Sequence, residues 1–409
     1  MASFLPKAAL KVPVLRPPPR TSSRVAQSCE AVRERRTSCN TSDMLLGSKV
    51  PVRDRPEREI TYLSIGSCPV NRLAKFCAVF ALSCSAALAA SPGDGVVNFS
   101  VTARIAGADG GWDFLSIDPM ARRLYVARSN GVMVVDLETG KVADKLVEGS
   151  GVHGVMPLPG TPLVISTNGR SNNAVLFDGA TGKVETTFAT GQNPDALVYE
   201  PKTGLAVIFN GRSKDATLFD LKTRSVVGTI ALQGKPEVGV VDGTGKVYLN
   251  IEDTAEIAVL DIEARKLIGS YKLPGCDSPT GLALDASLGL LVSACNNKIA
   301  KLVDVKTGND MGQVAIGNGP DGVLLDDKRR LAFIPAGDGT LTVVAMRAAN
   351  GVAVLGTIET QKGARTGALD PETGKIYLPT AKDAAPETAE ARPKPIPGTF
   401  EILVVSGKL

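Results

Sequence analysis

Short apolar runs and turn-forming residues alternate along the chain from Val97 onward. In the first repeat the runs are Asp113–Asp118, Leu124–Ala127, Val132–Leu137 and Val142–Val147. β-Branched residues dominate these runs, and clusters of Gly, Asn, Asp and Ser separate them. This pattern predicts four short antiparallel strands joined by tight turns.

The four-run unit recurs about every 42 residues, which is the period of a repeat architecture. Its clearest marker is the turn between the third and fourth runs, Asp136-Leu-Glu-Thr-Gly-Lys141. Further copies, the last of them degraded, lie at Asp178–Lys183, Asp220–Ser225, Asp261–Lys266, Asp304–Asn309 and Ala345–Asn350. Four antiparallel strands in a repeat of this length are typical of one β-propeller blade.

The innermost strand occurs seven times, which predicts blades at about 112–148, 152–190, 194–232, 236–274, 279–316, 320–359 and 364–409. The last repeat has no fourth strand, and an extra strand at 97–106 precedes the first repeat. We therefore predict an all-β, seven-bladed β-propeller over residues 91–409, with the N-terminal strand completing the C-terminal blade. Such closure removes exposed sheet edges, whereas a solenoid would cap its ends instead.

Three segments fall outside this pattern. Residues 1–69 are rich in Arg, Pro and Ser and are expected to be disordered or a mis-annotated extension, with an organelle transit sequence as the alternative. Residues 70–90 have a basic start, an apolar stretch and a small-residue site at Ala87–Ala89, which predicts a secretory signal peptide and translation from Val70. Lipid attachment at Cys84 is the alternative for this segment. Residues 381–398 are rich in Pro, Ala and Glu and predict a mobile loop inside the seventh blade.

The net charge of +4 is unevenly distributed. Basic side chains are concentrated before residue 76, and acidic ones outnumber them from residue 90 onward. The propeller is therefore mildly acidic, which argues against nucleic-acid binding. The signal peptide predicts a periplasmic or secreted protein with no transmembrane segment after cleavage, and we expect a monomer.

One position near the start of the innermost strand can be followed through all seven blades. Since these strands begin at the same face, which we call the entry face, its side chains are expected to surround the mouth of the central channel. These seven ring residues are Asp113, His153, Asp195, Glu237, Thr280, Asp321 and Arg365. Converging charges in a concave mouth predict a site for a cation, a metal ion or a small polar ligand. A solvated channel end is the alternative, and one His with scattered carboxylates does not establish a metal centre.

Two further features belong to the same face. Arg170 and Arg212 each end an Asn-Gly-Arg loop, which predicts a tight turn with positive φ, or alternatively an anion-binding edge. Trp112 heads the first blade and is expected either to border the channel or to pack in the core.

Only Cys276 and Cys295 remain after signal cleavage. They flank the first two strands of the fifth blade on one face, which in an exported protein predicts a disulfide. Two unpaired thiols are the alternative.

The Asp-x-x-Thr-Gly-Lys turns and second strands such as Leu124-Tyr-Val-Ala-Arg-Ser129 resemble the YVTN-repeat β-propellers, which include YncE-like bacterial periplasmic proteins. The resemblance covers residues 97–409 and implies the fold, but no shared catalytic set. The sixth repeat departs from the motif at Ala345, and the second repeat has Val152-His153 where others have Pro-Asp. Some relatives resemble quinoprotein amine dehydrogenase subunits in scaffold.

These observations predict an exported, non-catalytic propeller that binds a protein partner or a small polar ligand at the channel mouth. No catalytic residue, metal or other cofactor is assigned, although a divalent cation is compatible with the ring. One alternative is a metal-assisted lactonase or hydrolase that uses the ring carboxylates and His153. The other is an accessory subunit of a periplasmic redox system, which rests on the scaffold alone.

Overall fold

The computed structural model describes residues 98–347, 351–385 and 394–408. Within these ranges 28 strands form seven four-stranded antiparallel sheets, which are the blades of a propeller. The predicted fold class is confirmed. The predicted extension at 1–69, the signal peptide at 70–90 and the centre of the 381–398 loop lie outside the described residues.

Six blades consist of four consecutive strands each. Blades 1 to 3 are built from β2 (Trp112–Asp118), β3 (Arg123–Arg128), β4 (Gly131–Asp136), β5 (Val142–Glu148), β6 (Val152–Pro157), β7 (Leu163–Asn168), β8 (Asn173–Asp178), β9 (Val184–Ala189), β10 (Pro194–Glu200), β11 (Leu205–Asn210), β12 (Asp215–Asp220) and β13 (Ser225–Ala231). Blades 4 to 6 are built from β14 (Pro236–Val241), β15 (Lys246–Ile251), β16 (Glu256–Asp261), β17 (Lys266–Lys272), β18 (Pro279–Asp285), β19 (Leu290–Cys295), β20 (Ile299–Asp304), β21 (Asp310–Ala315), β22 (Leu324–Asp326), β23 (Leu331–Ala336), β24 (Thr340–Arg347) and β25 (Gly351–Glu359). One 3-10 turn, Glu252–Thr254, follows β15.

Blade 7 joins the two ends of the propeller. It orders β1 (Asn98–Ala106), β28 (Glu401–Lys408), β27 (Ile376–Thr380) and β26 (Ala368–Leu369) across the sheet. Strand β1 runs antiparallel to β28, from Asn98 opposite Lys408 to Ala106 opposite Glu401. The N-terminal strand therefore closes the ring, as the repeat count predicts.

The innermost strands of blades 6 and 7 are shorter than the sequence pattern indicates. Strand β22 begins at Leu324, with a single isolated bridge from Pro320 to Ala336 before it, and β26 spans only Ala368–Leu369. The backbone N–H of Asp321 donates to the carbonyl of Arg365 in the next blade at 3.2 Å instead of joining the ladder of its own blade. The innermost strands expected at the start of the sixth and seventh blades are thus only partly formed.

The core is divided into seven hydrophobic clusters, one at each interface between neighbouring blades. Alternate residues of a strand serve opposite interfaces. In β3, Leu124 and Val126 pack toward blade 7, whereas Tyr125 and Ala127 pack toward blade 2. Because both faces of the inner strands are buried, these strands appear in the sequence as continuous apolar runs.

Ion pairs strengthen two of the interfaces at the face opposite the entry face, which we call the turn face. Arg122 of blade 1 donates to both carboxylate oxygens of Asp370 in blade 7, at 2.9 and 2.7 Å. Arg330 of blade 6 makes the equivalent bidentate contact with Asp285 of blade 5. Both carboxylates are fully buried.

Among the described residues, no helix has the length and apolar character needed to cross a membrane.

Candidate functional site

The seven ring residues line one cavity of about 410 Å³ at the entry face of the channel. The sequence phase of the repeats therefore places side chains from seven blades around a single space. The remaining lining side chains include Phe114, Lys235, Glu252 and Asn296. We call this space the mouth cavity.

A β-bulge directs the ring residues of blades 1 to 5 toward the cavity. In blade 1 the pairing of β2 with β3 shifts register between Trp112 and Leu115, so that Asp113 lies inside the irregular segment. The same shift surrounds the ring residues of blades 2 to 5, which are His153, Asp195, Glu237 and Thr280. Bulges bend a strand and redirect a side chain, and they are frequent beside functional sites. In blades 6 and 7 the ladder is interrupted at the ring position altogether.

His153 and Asp113 form a hydrogen-bonded pair between blades 2 and 1. The imidazole Nδ1 lies 2.6 Å from the carboxylate Oδ2. This bond raises the pKa of His153; burial opposes the shift, and the nearby carboxylate of Asp195 supports it. The pair favours the positively charged form of the imidazole.

Gly169 makes room for this imidazole. A Cβ at residue 169 would lie only 2.5 Å from the His153 Cδ2 atom. Its φ is not in the left-handed region, so close approach rather than turn geometry accounts for this glycine.

Lys235 forms a second charged group with two carboxylates of blade 4. Its ammonium lies 2.6 Å from Glu237 Oε1 and also contacts Glu252 Oε2. Burial of the ammonium works against protonation, but the two carboxylates outweigh it and raise the pKa of Lys235. Lys235 therefore holds its charge and neutralises part of the acidic wall.

Arg365 and Asp321 form a third charged group, with Nε and Oδ2 3.1 Å apart. The carboxylate is largely buried, at 14% side-chain exposure, whereas the arginine side chain is 59% exposed. Burial raises the pKa of Asp321 to about 7 although Arg365 acts in the opposite direction.

Asp195 has no such partner. None of the described groups donates a hydrogen bond to its carboxylate, although its own carbonyl accepts one from the Thr167 hydroxyl at 2.6 Å. The carboxylate is surrounded by protein except on the cavity side, where part of its surface remains open to water. Burial, and then the Asp113 carboxylate, raise the pKa of Asp195.

Thr280 plays a structural part in the ring. It is buried, and its hydroxyl donates to the carbonyl of Pro320 in blade 6 at 2.7 Å. Its own carbonyl accepts a hydrogen bond from Asn250 at 2.9 Å. The side chain borders the cavity, but its proton is committed to the neighbouring blade.

Phe114 separates the mouth cavity from a second, apolar one. It follows Asp113 in blade 1, yet it packs against the hydrophobic cluster of blades 3 and 4, so its ring extends across the channel. Beyond it, toward the turn face, lies a cavity of about 750 Å³ lined mainly by apolar residues of all seven inner strands. The channel is thus polar at one end and apolar at the other.

Trp112 packs in the core, which is one of the two alternatives expected for it, and it does not line the mouth cavity. It packs against Phe400 with ring centroids 5.4 Å apart, within the cluster of blades 7 and 1. It also lines a cavity of about 510 Å³ beside the mouth, together with Lys362, Arg365 and Asp383. The described ends of the 381–398 loop approach this cavity and pair with each other through a bridge between Asp383 and Pro395.

The two Asn-Gly-Arg loops are turns, but their positive φ values lie elsewhere than expected. Asn172 and Lys214, further along each loop, have φ values of 54° and 55°. The side chain of Asn168 fixes its loop by donating to Asn173 at 2.8 Å. Arg170 and Arg212 are exposed and do not line the mouth cavity, so the anion-binding alternative stays a prediction.

Two other sequence features occupy defined positions. Cys276 and Cys295 are joined by a disulfide, with Cα atoms 5.5 Å apart. In the repeated turn of blade 1, Asp136 Oδ1 accepts hydrogen bonds from the backbone of Glu138 and Thr139, and Gly140 has a φ of 72°. The turn motif therefore serves blade geometry at the turn face.

Sequence reasoning missed Lys235 and Phe114. Lys235 stands two positions before the ring position, where the other blades carry Gly, Asn or Ser. Because Lys235 is charged and lies at an equivalent position of the repeat, the alignment that identified the ring residues could also have identified it. Phe114 offered no such signal, because an apolar residue in an inner strand normally belongs to its own blade interface.

The mouth also contains a set of potential metal ligands. One donor atom from each of Asp113, His153 and Asp195 can be chosen so that all three lie within 4.8 Å of one another. These residues come from three consecutive blades.

Comparison with known proteins supports the fold only. No protein-family model and no curated protein matches the chain. A solved structure of the hydrazine synthase of Kuenenia stuttgartiensis is similar with a TM-score of 0.57 and 13% identity, over 66% of this chain and 92% of that one. A chain in a crystal structure of the mitotic checkpoint complex gives a TM-score of 0.61 and 15% identity, over 74% of this chain and 95% of that one. At such identities the similarity is one of architecture, and the resemblance to YVTN-repeat proteins stays a prediction.

Proposed function

We propose that this protein is a non-catalytic β-propeller of the YVTN-repeat type that is exported and binds a small, positively charged polar ligand in its mouth cavity. The observation that carries the proposal is a charge imbalance. Five carboxylates line the cavity, against Lys235, Arg365 and the single imidazole of His153. When all of these groups are ionised, the positive side chains do not balance the negative ones.

The pairing within the cavity leaves the excess charge in one place. Lys235 is held by Glu237 and Glu252, and Arg365 is held by Asp321. The side of the cavity formed by blades 1 to 3 keeps Asp113, His153 and Asp195, with the Asp195 carboxylate free of hydrogen bonds from described groups. A cation entering the mouth is expected to settle on this side.

The excess negative charge is accompanied by raised pKa values among the ring carboxylates. Burial and neighbouring carboxylates raise the pKa of both Asp195 and Glu237, in the second case despite the contact with Lys235. Buried carboxylates that repel each other retain protons to reduce the repulsion. A bound cation relieves the same repulsion, which is the physical reason to expect one here.

The dimensions favour a small ligand over a protein segment. A volume of about 410 Å³ lies in the range of small-molecule sites, which are typically about 300–1,000 Å³. The site is also preorganised, since hydroxyl groups of Thr366 and Thr167 hold the backbone carbonyls of Asp113 and Asp195. Preorganisation lowers the ordering cost of binding.

A second candidate function uses the same residues. The donor atoms of Asp113, His153 and Asp195 favour a metal-assisted hydrolase of the lactonase type. Hydrolysis of a simple lactone by the metal-loaded full chain, lost in Asp195→Asn, would favour this candidate over the non-catalytic one.

Thermal unfolding of the full chain tests the proposal. Its midpoint is measured with ethanolamine, putrescine, CaCl₂ and ZnCl₂ at constant ionic strength, and we expect at least one of these cations to raise it in a saturable manner. The double variant Asp195→Asn/Asp321→Asn should lose the increase, while Glu148→Gln, at a side chain with 87% exposure, should keep it. No increase with any cation, or an equal increase in the double variant, would contradict cation binding in the mouth.

A further inference from the structure

We infer that Asp113, His153 and Asp195 form a binding site for one divalent transition-metal ion, held between blades 1, 2 and 3 in the mouth cavity. This inference names the cation of the proposed function and therefore rests on it. It stands on the position of three donor groups of the right chemistry, on the Asp195 carboxylate that no described group hydrogen-bonds, and on the rigidity of the strands that carry the three residues.

The spacing of the donor atoms suits a metal ion. Ligands of a tetrahedral ion, each at about 2.0–2.2 Å from it, lie roughly 3–3.5 Å from one another. In the structure one pair, His153 Nδ1 and Asp113 Oδ2, lies at 2.6 Å, and the three chosen donor atoms fall within 4.8 Å of one another. The required distances lie between these values, and a bound ion would take the place of the proton that His153 and Asp113 share.

The other charged members of the ring are less available. Glu237 is bound to Lys235, and Asp321 is bound to Arg365. Thr280 donates its proton to a backbone carbonyl. Asp195, by contrast, presents a partly exposed carboxylate that faces the cavity and that no described group hydrogen-bonds. A partly buried carboxylate without a protein partner gains from a ligand that completes its coordination.

The three residues are held in place by contacts outside the site. The carbonyl of Asp113 accepts a hydrogen bond from the Thr366 hydroxyl at 3.0 Å. Thr167 accepts from the backbone of Gly154, next to His153, at 2.8 Å and donates to the carbonyl of Asp195 at 2.6 Å. One hydroxyl thus links the strands of two ligands. Metal sites depend on this kind of outer support for their affinity.

The donor set indicates the class of metal. One imidazole nitrogen with two carboxylates suits Zn²⁺ or a similar divalent transition metal, and the two negative charges balance the ion. Ca²⁺ takes about six to eight oxygen ligands, and an imidazole is not one of them. Zn²⁺ is therefore the probe of choice.

The test uses the presence of a single His in the sequence. The full chain is produced without a histidine tag, labelled with ¹³C,¹⁵N-histidine and treated with EDTA. Zn²⁺ is then titrated in and followed by calorimetry and by the imidazole NMR signals, all of which belong to His153. We expect one equivalent to bind and to shift these signals, and binding to weaken at least about tenfold, or about 1.4 kcal/mol, in Asp195→Asn. Glu148→Gln is the matched control and should bind as the wild type does.

The outcomes separate the inference from the proposed function. Binding that leaves the imidazole signals unchanged, or that is equally tight in a folded Asp195→Asn variant, overturns the site. Zn²⁺ does not bind, in a second outcome, while ethanolamine or putrescine still raises the unfolding midpoint. This result overturns the metal site and leaves the proposed function standing. If no cation binds or raises the unfolding midpoint, both the metal site and the proposed function are overturned. The NMR titration of the wild type needs no variant, so the test survives if Asp195→Asn does not fold.

Discussion

The imidazole of His153 and the carboxylate of Asp113 lie 2.6 Å apart although the residues belong to different blades. Their meeting depends on the same bulge occurring at the same place in β2 and β6. It links the repeat architecture to the chemistry of the mouth cavity, because a shift of one residue in either strand would turn one side chain away.

The titration of His153 provides the first prediction. In the metal-free chain, with EDTA present, its pKa should lie above the ordinary value of about 6.5, and Asp113→Asn should lower it. A raised pKa stabilises the fold below the unfolded-state pKa, and the contribution is lost as pH rises through the folded-state pKa. The variant should therefore lose more stability at pH 5 than at pH 9. NMR titration and urea unfolding measure the two effects, and equal pKa values in both proteins would contradict the pairing.

Gly169 and Gly211 occupy matching positions in two successive Asn-Gly-Arg loops, which makes them a controlled pair. A Cβ at Gly169 would meet the His153 ring at 2.5 Å, whereas one at Gly211 would approach the Asn193 side chain only to 3.4 Å. Gly169→Ala should displace the imidazole, change its NMR signals and cost about 1–3 kcal/mol in the free energy of unfolding. Gly211→Ala should stay within about 0.5 kcal/mol. Similar losses in both variants would contradict the role given to Gly169.

The ion pair between Arg122 and Asp370 is expected to stabilise the closure of the ring. Burial alone would raise the pKa of Asp370, but hydrogen bonds from Arg122 and Thr373 outweigh it and lower the pKa to about 2. A lowered carboxylate pKa contributes stability that is complete above about pH 4 and is lost as pH falls toward 2. Asp370→Asn should therefore cost about 2 kcal/mol at pH 7, with a difference from wild type that narrows below pH 4.

Urea unfolding at several pH values measures this difference, with the exposed substitution Glu148→Gln as the control that leaves stability unchanged. A cost that does not vary between pH 7 and pH 3 would indicate that the loss arises from packing rather than from the charge of Asp370.

The disulfide between Cys276 and Cys295 should stabilise blade 5. The two residues are 19 apart in sequence, and closing a loop of this size in the unfolded chain is worth about 3 kcal/mol. The double variant Cys276→Ser/Cys295→Ser should lower the free energy of unfolding by about this amount in urea. Mass spectrometry of the alkylated, unreduced chain should show both cysteines of the pair protected, and alkylation of either would contradict the bond.

The architecture was accessible from the sequence because it depends on regular features. Alternating apolar runs, a repeated turn and the unmatched N-terminal strand together specify the number of blades and the mode of closure. The shared phase of the inner strands also gave the positions now found around the mouth cavity, from Asp113 to Arg365.

The interactions within the site were less accessible, because they depend on distances between blades. The alignment of the repeats shows that Glu237 and Asp321 approach the channel. It does not show that Lys235 pairs with the first carboxylate and Arg365 with the second. It gave no sign that Phe114 crosses the channel or that the Thr280 hydroxyl bonds the next blade. The role of Gly169 was assigned to backbone conformation, whereas the His153 ring accounts for it.

Native mass spectrometry of the full chain tests the central claim most directly. Spectra are recorded after addition of equimolar ZnCl₂, CaCl₂, ethanolamine or putrescine, for the wild type, Glu148→Gln and Asp195→Asn/Asp321→Asn. The account predicts a single bound cation with at least one of these additions in the first two proteins, and its loss in the double variant. Absence of a bound cation from all three, or the same occupancy in all three, would contradict a cation site in the mouth cavity.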